Sequence, residues 1–262
     1  MRIDGAVIQC PAEVGDLAGA PHSGVLWRAA PGRLLLDIPD VARYLVSDGN
    51  LVEINPYDGV EAEDLQRFLR MTPAAALYLQ RGIPVLHAAV VADTAGRGVV
   101  LAGDSGSGKS VLLTALVRRG WGLLTDDLAP VTLDDDQVPV AVPTWPEVAL
   151  WPECGGPGGA GPAAAGWDAR FVNEARPIGA IWWLGSHGFD AIEVHSVEGL
   201  ARFEALAAMA YHRRIASALL DRASYLRVAG RVAGSGIPIR RLIRPRGRWT
   251  ADDLADIVEN GS

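Results

Sequence analysis

Eight consecutive residues in the first half of the chain read Gly103-Asp104-Ser105-Gly106-Ser107-Gly108-Lys109-Ser110. Two glycines bracket four residues, and a lysine and a serine follow, which is the pattern of a phosphate-binding loop, or P-loop. An apolar stretch, Gly98 to Ala102, precedes the loop, and an apolar stretch of helical length, Lys109 to Arg119, follows it. The sequence therefore predicts a strand, a loop and a helix in succession, as in an α/β fold.

Every residue of this loop has a predicted part in binding a nucleoside triphosphate, for which ATP is the first candidate. The glycines let the backbone wrap a phosphate, and the loop N–H groups and the helix N-terminus present partial positive charge to it. Lys109 is expected to reach the β- and γ-phosphates, and the Ser110 hydroxyl to bind Mg²⁺. Lys109 is also the single lysine among 24 basic residues, which indicates that a compact ammonium is needed there. The alternative is a Gly-Ser turn with an incidental lysine.

An acidic pair, Asp126 and Asp127, closes a short apolar strand that ends 18 residues after Lys109. This spacing fits a helix, a turn and a return strand whose end lies beside the loop. Adjacent strand residues point to opposite sides, so we expect one Asp to face the phosphates and the other to contact metal or a neighbouring loop. A carboxylate there orients Mg²⁺ or accepts a proton; the alternative is a solvated turn. His87, in an apolar strand, is either a core residue or a neighbour that shifts the pKa of an Asp.

Composition excludes several classes of function. The chain has 262 residues, 49% of them apolar, a net charge of −7 and a sequence pI of about 5.2. An acidic chain is unlike a general nucleic-acid binder, and no apolar run approaches the roughly 18 residues that span a bilayer. The N-terminus lacks the apolar stretch of a signal peptide. Cys10 and Cys154 have no metal-ligand spacing and fit a reducing cytoplasm.

The chain divides into a small β-rich N-terminal segment with a helix, residues 1–82, and a catalytic domain, residues 83–262. The helix is predicted over Glu63 to Gln80, with Pro73 kinking or splitting it. A strand is expected over Val148 to Trp151, and the Gly/Pro/Ala-rich run 154–166 is interpreted as a mobile loop, either a surface insertion or a lid. Ser196 is expected to cap a helix over residues 197–211.

His87, the loop at 103–110 and the run Arg119-Gly120-Trp121-Gly122-Leu123-Leu124-Thr125-Asp126-Asp127 together resemble the catalytic domain of HPr kinase/phosphorylase. The resemblance covers about residues 85–133. The stretch 81–89 looks more like HPr-kinase-related proteins, some of which accompany gene clusters for ribosomally made peptides, including lasso peptides, and phosphorylate a serine of the precursor. The implied fold is the mixed-sheet α/β type of the phosphoenolpyruvate-carboxykinase-like P-loop proteins.

The resemblance also implies a role for each site residue. Asp127 would be the general base that takes the serine proton, with His87 beside it, and Lys109 would hold the transferring phosphoryl group. Ser110 would bind Mg²⁺. The family's acidic metal ligand would align loosely with Glu147, whereas the position of the acidic pair independently makes Asp126 the expected carboxylate ligand.

Three functions are compatible with these residues. The first is an ATP-dependent serine kinase acting on a peptide or small protein, with a lasso-type precursor peptide as one candidate acceptor. The others are a nucleotide-binding regulator or assembly protein with little or no hydrolysis, and a small-molecule kinase. Neither a nucleic acid nor a membrane is expected as a partner, and self-association is left open. The arginines at positions 240, 241, 244, 246 and 248 either grip an acidic partner or phosphate or are solvated surface charges.

Overall fold

A computed structural model describes residues 2–3, 5–145, 170–188, 190–246 and 250–262. The chain forms two compact units: the first contains residues 1–85 and 211–226, and the second contains residues 86–210 and 227–262. Glu147, the strand predicted at Val148 to Trp151 and the Gly/Pro/Ala run at 154–166 lie outside the described residues.

Antiparallel neighbours dominate the sheet of the first unit. Its strands are β1 (Arg2–Ile3), β2 (Ala6–Gln9), β3 (His22–Ser23), β4 (Trp27–Ala30), β5 (Arg33–Ile38), β6 (Ala42–Ser47) and β7 (Leu51–Pro56). Their order is β1-β2-β7-β6-β5-β4-β3, and only β2 and β7 pair in parallel. Turns with glycine at positive φ, such as Gly32 and Gly49, join successive strands. The small β-rich N-terminal segment that the sequence predicts is confirmed.

The described helices are α1 (Ala62–Leu69), α2 (Thr72–Gln80), α3 (Lys109–Arg118), α4 (Ala201–Ala208), α5 (Arg213–Leu219), α6 (Arg222–Gly234) and α7 (Ala251–Gly261). The predicted helix over Glu63 to Gln80 is two helices, because the chain breaks at Arg70 and Met71. Pro73 then lies in the first turn of α2, where its missing N–H costs no hydrogen bond.

The second unit is built on a mixed sheet. Its strands are β9 (Ala88–Ala92), β10 (Gly98–Gly103), β11 (Gly122–Thr125), β12 (Ala129–Leu133), β13 (Pro139–Ala141), β14 (Arg176–His187), β15 (Glu193–Ser196) and β16 (Ile239–Pro245). The short strand β8 (Val85–Leu86) contains one residue of each unit. β10 pairs in parallel with β14, and β14 pairs in parallel with β16. The mixed α/β fold predicted from the sequence is thus confirmed.

Strand order determines which residues meet at one edge of this sheet. The order begins β11-β9-β10-β14, and β9 is antiparallel to both β10 and β11. The amino end of β9 therefore lies between the carboxyl ends of β10 and β11. His87 precedes β9, the phosphate loop follows β10 and the acidic pair follows β11, so all three come to the same edge.

Helices α3 and α7 cover one face of the sheet with a common apolar core. This core includes the fully buried Leu101 and Leu116, and also Trp182 and Val258. Arg119, just after α3, donates from Nη1 to Asp256 at 2.6 Å and to Glu259 at 2.8 Å on α7. The packing fixes α3, and with it the loop at the start of that helix.

One helix prediction is wrong. Ser196 ends β15 rather than capping a helix, and α4 begins only at Ala201. The N–H of Val197 donates to Ile239 O at 2.8 Å, so pairing with β16 holds the chain extended until the turn at Gly199. In the ranges that the structure describes, no helix is both long and apolar enough to cross a membrane.

Candidate functional site

The phosphate loop leaves the carboxyl end of β10 and leads directly into α3. Gly103 ends β10, and Gly108 occupies the N-cap position of α3 with φ of 102°. At Gly103, φ is 151°, and an added Cβ would lie 2.6 Å from Ser107 Oγ and 2.7 Å from Leu184 O. Glycine is therefore required at this entry to the loop.

The predicted nucleotide-binding residues form one continuous turn. Asp104, Ser105 and Gly106 are exposed at its tip, whereas Ser107 is buried. The N–H of Ser107 donates to Asp104 O at 3.0 Å and closes the turn. The Gly108 carbonyl accepts from Leu112 N–H at 2.9 Å as the first hydrogen bond of the helix. The loop thus passes into the N-terminus of α3, where free N–H groups favour an anion.

Lys109 is 7% exposed and directs its ammonium along the loop. Its Nζ donates to Gly103 O at 2.8 Å and to Asp104 O at 3.3 Å. A third contact joins Nζ to Nε2 of His87 at 3.0 Å. Burial lowers the pKa of Lys109, and the nearby carboxylates oppose this shift, Asp127 most strongly. The ammonium is held at the phosphate loop at a cost in solvation.

His87 connects Lys109 to Asp127. Its Nδ1 lies 3.1 Å from Asp127 Oδ1, on the other side of the ring from the lysine. A lysine ammonium has only donors, so Nε2 must accept and Nδ1 must carry the hydrogen that is donated to Asp127. A neutral imidazole thereby joins the phosphate-loop cation to a carboxylate.

The two acidic residues have different partners. Asp126 is buried, and its Oδ1 accepts from Ser110 Oγ at 3.1 Å. Asp127 adopts φ of 73° in the turn after β11, and its side chain is 41% exposed. The turn is held by Thr125, whose Oγ1 donates to Leu128 O at 2.7 Å. One carboxylate therefore faces the metal-binding hydroxyl predicted from the loop, and the other remains accessible beside His87.

Arg244 also contacts the loop, although the sequence offers it only as one member of an arginine cluster. Its Nε donates to Ser107 O at 3.1 Å, and its Nη2 lies 3.5 Å from Gly106 O. No local motif marks Arg244, because its position depends on the pairing of β16 with β14. The arginine cluster at positions 240, 241, 244, 246 and 248 is the only feature of the sequence that points to a role for this residue.

A glycine-rich turn that delivers a lysine to a helix N-terminus, at the carboxyl edge of a mixed sheet, is the defining unit of P-loop proteins. The second unit therefore belongs to the class of P-loop α/β domains.

Known proteins of one kind match parts of this chain. The HPr kinase/phosphorylase of Aromatoleum aromaticum is 40% identical over 77 residues, 26% of this chain and 24% of the relative. That of Limosilactobacillus reuteri is 48% identical over 52 residues, 20% of this chain and 16% of the relative. The solved Hpr(Ser) kinase/phosphatase from Coxiella burnetii aligns with 67% of this chain and 91% of that one, with 16% identity and a TM-score of 0.37. No family model matches the chain.

The chain spans about a quarter or less of the length of the curated relatives it matches. Over a part of this chain, the similarity to HPr kinase/phosphorylase that the sequence motifs predict is confirmed.

Proposed function

We propose that this protein is an ATP-dependent kinase that transfers the γ-phosphoryl group to a serine hydroxyl of a peptide or small protein. The observation that carries the proposal is the hydrogen-bonded connection from Lys109 through His87 to Asp127. It joins a cation suited to the triphosphate with a carboxylate suited to the acceptor. A protein that only holds nucleotide needs the first group and not the second.

Asp127 is the proposed general base. Its Oδ1 accepts the hydrogen of His87 Nδ1, which leaves Oδ2 for the serine hydroxyl of the acceptor. The side chain is 41% exposed, so an acceptor can reach it. The neutral His87 orients the carboxylate, and general-base assistance of this kind contributes about 10²–10⁴-fold to rate.

The proposed reaction is an in-line displacement at the γ-phosphorus. The serine oxygen forms a bond to the γ-phosphorus while the bond from that phosphorus to the β,γ-bridging oxygen breaks, and ADP leaves. The serine proton passes to Asp127. Lys109 and the loop N–H groups stabilise the charge on the phosphoryl oxygens. A phosphate competes with Gly103 O and Asp104 O for the lysine ammonium.

Ser110 and Asp126 are the residues that would hold Mg²⁺. A hydroxyl and a carboxylate, 3.1 Å apart, are hard oxygen donors of the kind that this ion prefers. No group of three or more His, Cys, Asp or Glu side chains suited to a metal occurs within the described ranges. Two protein donors fit an ion that takes its other ligands from water and phosphate. When bound, Mg²⁺ neutralises charge on the β- and γ-phosphates.

The similarity to known proteins supports the proposed acceptor class. The curated relatives are named for action on HPr, and the name of the Coxiella structure specifies serine. Residues 81–89 look more like HPr-kinase-related proteins, and because some of these phosphorylate ribosomally made precursor peptides, such a peptide is the favoured acceptor.

The test is phosphoryl transfer from γ-labelled ATP, with Mg²⁺, to candidate peptides and to the same peptides with the serine replaced by alanine. We expect label on the serine peptides only. Asp127→Asn should bind ATP with unchanged affinity and transfer label about 10²–10⁴-fold more slowly. Asp135→Asn, an exposed aspartate between β12 and β13, is the matched control and should transfer at the wild-type rate.

Two outcomes would contradict the proposal. If Asp127→Asn transfers label at the wild-type rate, this carboxylate takes no part in the reaction. Tight ATP binding without transfer to any peptide supports a nucleotide-binding regulator, and labelling of a small molecule instead supports a small-molecule kinase.

A further inference from the structure

Arg244 stands at the carboxyl end of β16, two strands away from the strand that carries the phosphate loop. β16 runs parallel to β14, where Arg244 is in register with Ser186, and β14 runs parallel to β10. Three parallel strands thus end at the same edge. Side chains alternate along β16, so Arg244 shares the face of Leu242, which belongs to the core beneath α3. This places the guanidinium at the loop.

Two cations divide the carbonyl groups of the loop between them. Lys109 holds Gly103 O and Asp104 O in the first half. Arg244 holds Ser107 O and, at 3.5 Å, Gly106 O in the second half. A carbonyl oxygen is the negative end of the peptide dipole and repels a phosphate. Because Arg244 is not among the predicted phosphate ligands, holding Ser107 O against it directs the negative end of that dipole away from an anion.

The contact to Ser107 O also fixes the direction of one N–H group. In a planar trans peptide, the carbonyl and the following N–H point in opposite directions. The bond from Arg244 Nε to Ser107 O, 3.1 Å long, therefore directs the N–H of Gly108 away from Arg244. Gly108 is the N-cap residue of α3, with φ of 102°, and only glycine adopts this conformation readily.

We propose that Arg244 is a positioning residue of the phosphate site, which orients the Gly108 N–H toward the triphosphate by holding the carbonyls on the opposite side of the loop. This inference rests on the proposed function, because it assigns that residue to the same nucleotide site. The ligand class is a nucleoside triphosphate, and the affected contact is to its phosphates rather than to its base.

An arginine suits this role better than a lysine. Its planar fork reaches Ser107 O through Nε while Nη1 donates to its own neighbour, Pro245 O, at 3.2 Å. The second contact anchors the fork to β16, so the guanidinium approaches the loop from a fixed direction. A lysine carries the same charge on a flexible stem and lacks this fixed geometry.

The experiment compares Arg244→Met and Arg244→Lys with wild type, and Arg241→Met serves as the matched control. Arg241 lies on the same strand but on the opposite face, is exposed and stacks over the ring of Trp183 at 5.2 Å. Kd for ATP is measured by calorimetry well below the unfolding temperature. KM for ATP and for the peptide, together with Tm, is recorded for every variant.

We expect Arg244→Met to weaken ATP binding and to raise KM for ATP by about tenfold, the effect of one lost charge-assisted hydrogen bond. KM for the peptide should not change. Arg244→Lys should restore less than half of the change in log Kd that Arg244→Met causes, because lysine supplies the charge without the planar guanidinium. Arg241→Met should bind ATP as wild type does.

Three results would overturn the inference. Wild-type ATP affinity in Arg244→Met excludes a role in positioning the phosphate site, and a fall in Tm would then assign the arginine to stability. Full recovery by Arg244→Lys shows that charge rather than orientation matters. Equal weakening by Arg241→Met shows a general effect of surface charge. If instead wild-type protein fails to bind ATP, it is the proposed function that fails, and the two failures are thereby distinguished.

Discussion

The sheets of the two units use their polar side chains in different ways. In the first unit, the hydroxyl of the buried Tyr44 donates to Leu65 O at 3.0 Å. Gln80 donates to Val46 O at 3.2 Å and accepts from Gly49 N–H at 2.7 Å. These groups are neutral, and they tie helices α1 and α2 to strands and turns. The second unit places charged groups, among them Lys109 and Asp126, at one edge of its sheet.

The difference separates structural polar groups from functional ones. A neutral buried group with a hydrogen-bond partner adds to stability. A buried ammonium, such as that of Lys109, loses solvation, and its lowered pKa reflects this loss. Such groups concentrate where binding or chemistry needs them. We therefore interpret the sheet edge formed by β9, β10 and β11 as the nucleotide-binding site. The polar groups compared in the first sheet, Tyr44 and Gln80, are interpreted as structural.

The largest expected effect is that of Lys109→Ala. The change removes the cation that contacts the β- and γ-phosphates, and we expect ATP binding to weaken at least about 100-fold, or roughly 2.7 kcal/mol. Calorimetric titration with ATP measures it. Because only the ammonium form binds phosphate and its pKa is lowered in the free protein, affinity should begin to fall at a lower pH than for an ordinary lysine.

The control for this prediction is Arg118→Ala, which removes an exposed cation from the last turn of the same helix. Its affinity for ATP should match that of wild type. If Lys109→Ala also kept wild-type affinity for ATP, the charged edge of the second sheet would not be the nucleotide-binding site.

A second large effect is expected at Gly103. In Gly103→Ala the new Cβ would meet Ser107 Oγ and Leu184 O at less than 3.0 Å, and overpacking of this kind costs about 1–3 kcal/mol. Urea unfolding should show this loss, accompanied by weaker ATP binding. Gly59→Ala in the first unit, with φ of 81° but no atom within 4 Å, should cost only the backbone term of about 1 kcal/mol. Equal losses would show that the loop is no tighter than an ordinary turn.

The sequence predicts the loop and α3 well because their pattern is local. Residues 103–110 satisfy one contiguous motif, and the apolar stretches on both sides specify a strand and a helix. The approach of His87 to the acidic pair is harder to derive, since it depends on β9 lying between β10 and β11. Strand order is a long-range property, and spacing alone does not specify it.

Two features, Arg244 and the start of α4, depend on strand pairing and could not be predicted from local sequence. Arg244 meets the loop only because β16 pairs with β14, and nothing near Arg244 in the chain indicates this. The predicted helix start at Ser196 was wrong because pairing with β16 competes with the capping preference of serine and prevails. Helix α6 was missed, although Asp221 Oδ1 accepts from Ser224 N–H at 2.9 Å in a capping arrangement. The omission of α6 has no such cause, because its capping signal is local.

A moderate effect is expected from Ser110→Ala, which tests the charged edge through Mg²⁺. The hydroxyl and Asp126 are the proposed protein donors, so their pairing at 3.1 Å should matter only when the metal is present. We expect about tenfold weaker binding of ATP with Mg²⁺, or roughly 1.4 kcal/mol, and little change with ATP and a chelator. Equal weakening under both conditions would assign the serine to the loop structure instead.

The smallest effect, and the one that tests the first sheet, is that of Tyr44→Phe. The variant loses the hydrogen bond to Leu65 O and should be less stable by about 1 kcal/mol at neutral pH. Burial, aided by Asp64, raises the pKa of Tyr44 to about 12. The folded state therefore keeps this proton at a pH where the unfolded chain, with a tyrosine pKa of about 10, has lost it.

This pKa shift determines how the effect of Tyr44→Phe depends on pH. A raised folded-state pKa gives stability that is fully present below pH 10 and is lost as the pH rises toward 12. Wild type should lose its advantage over Tyr44→Phe across this window, as measured by urea unfolding at pH 7 and pH 11. The other tyrosines titrate in both proteins, so their contributions cancel in the difference. A constant difference between wild type and Tyr44→Phe would mean that Tyr44 ionises freely, and the neutral, structural character assigned to Tyr44 would then be wrong.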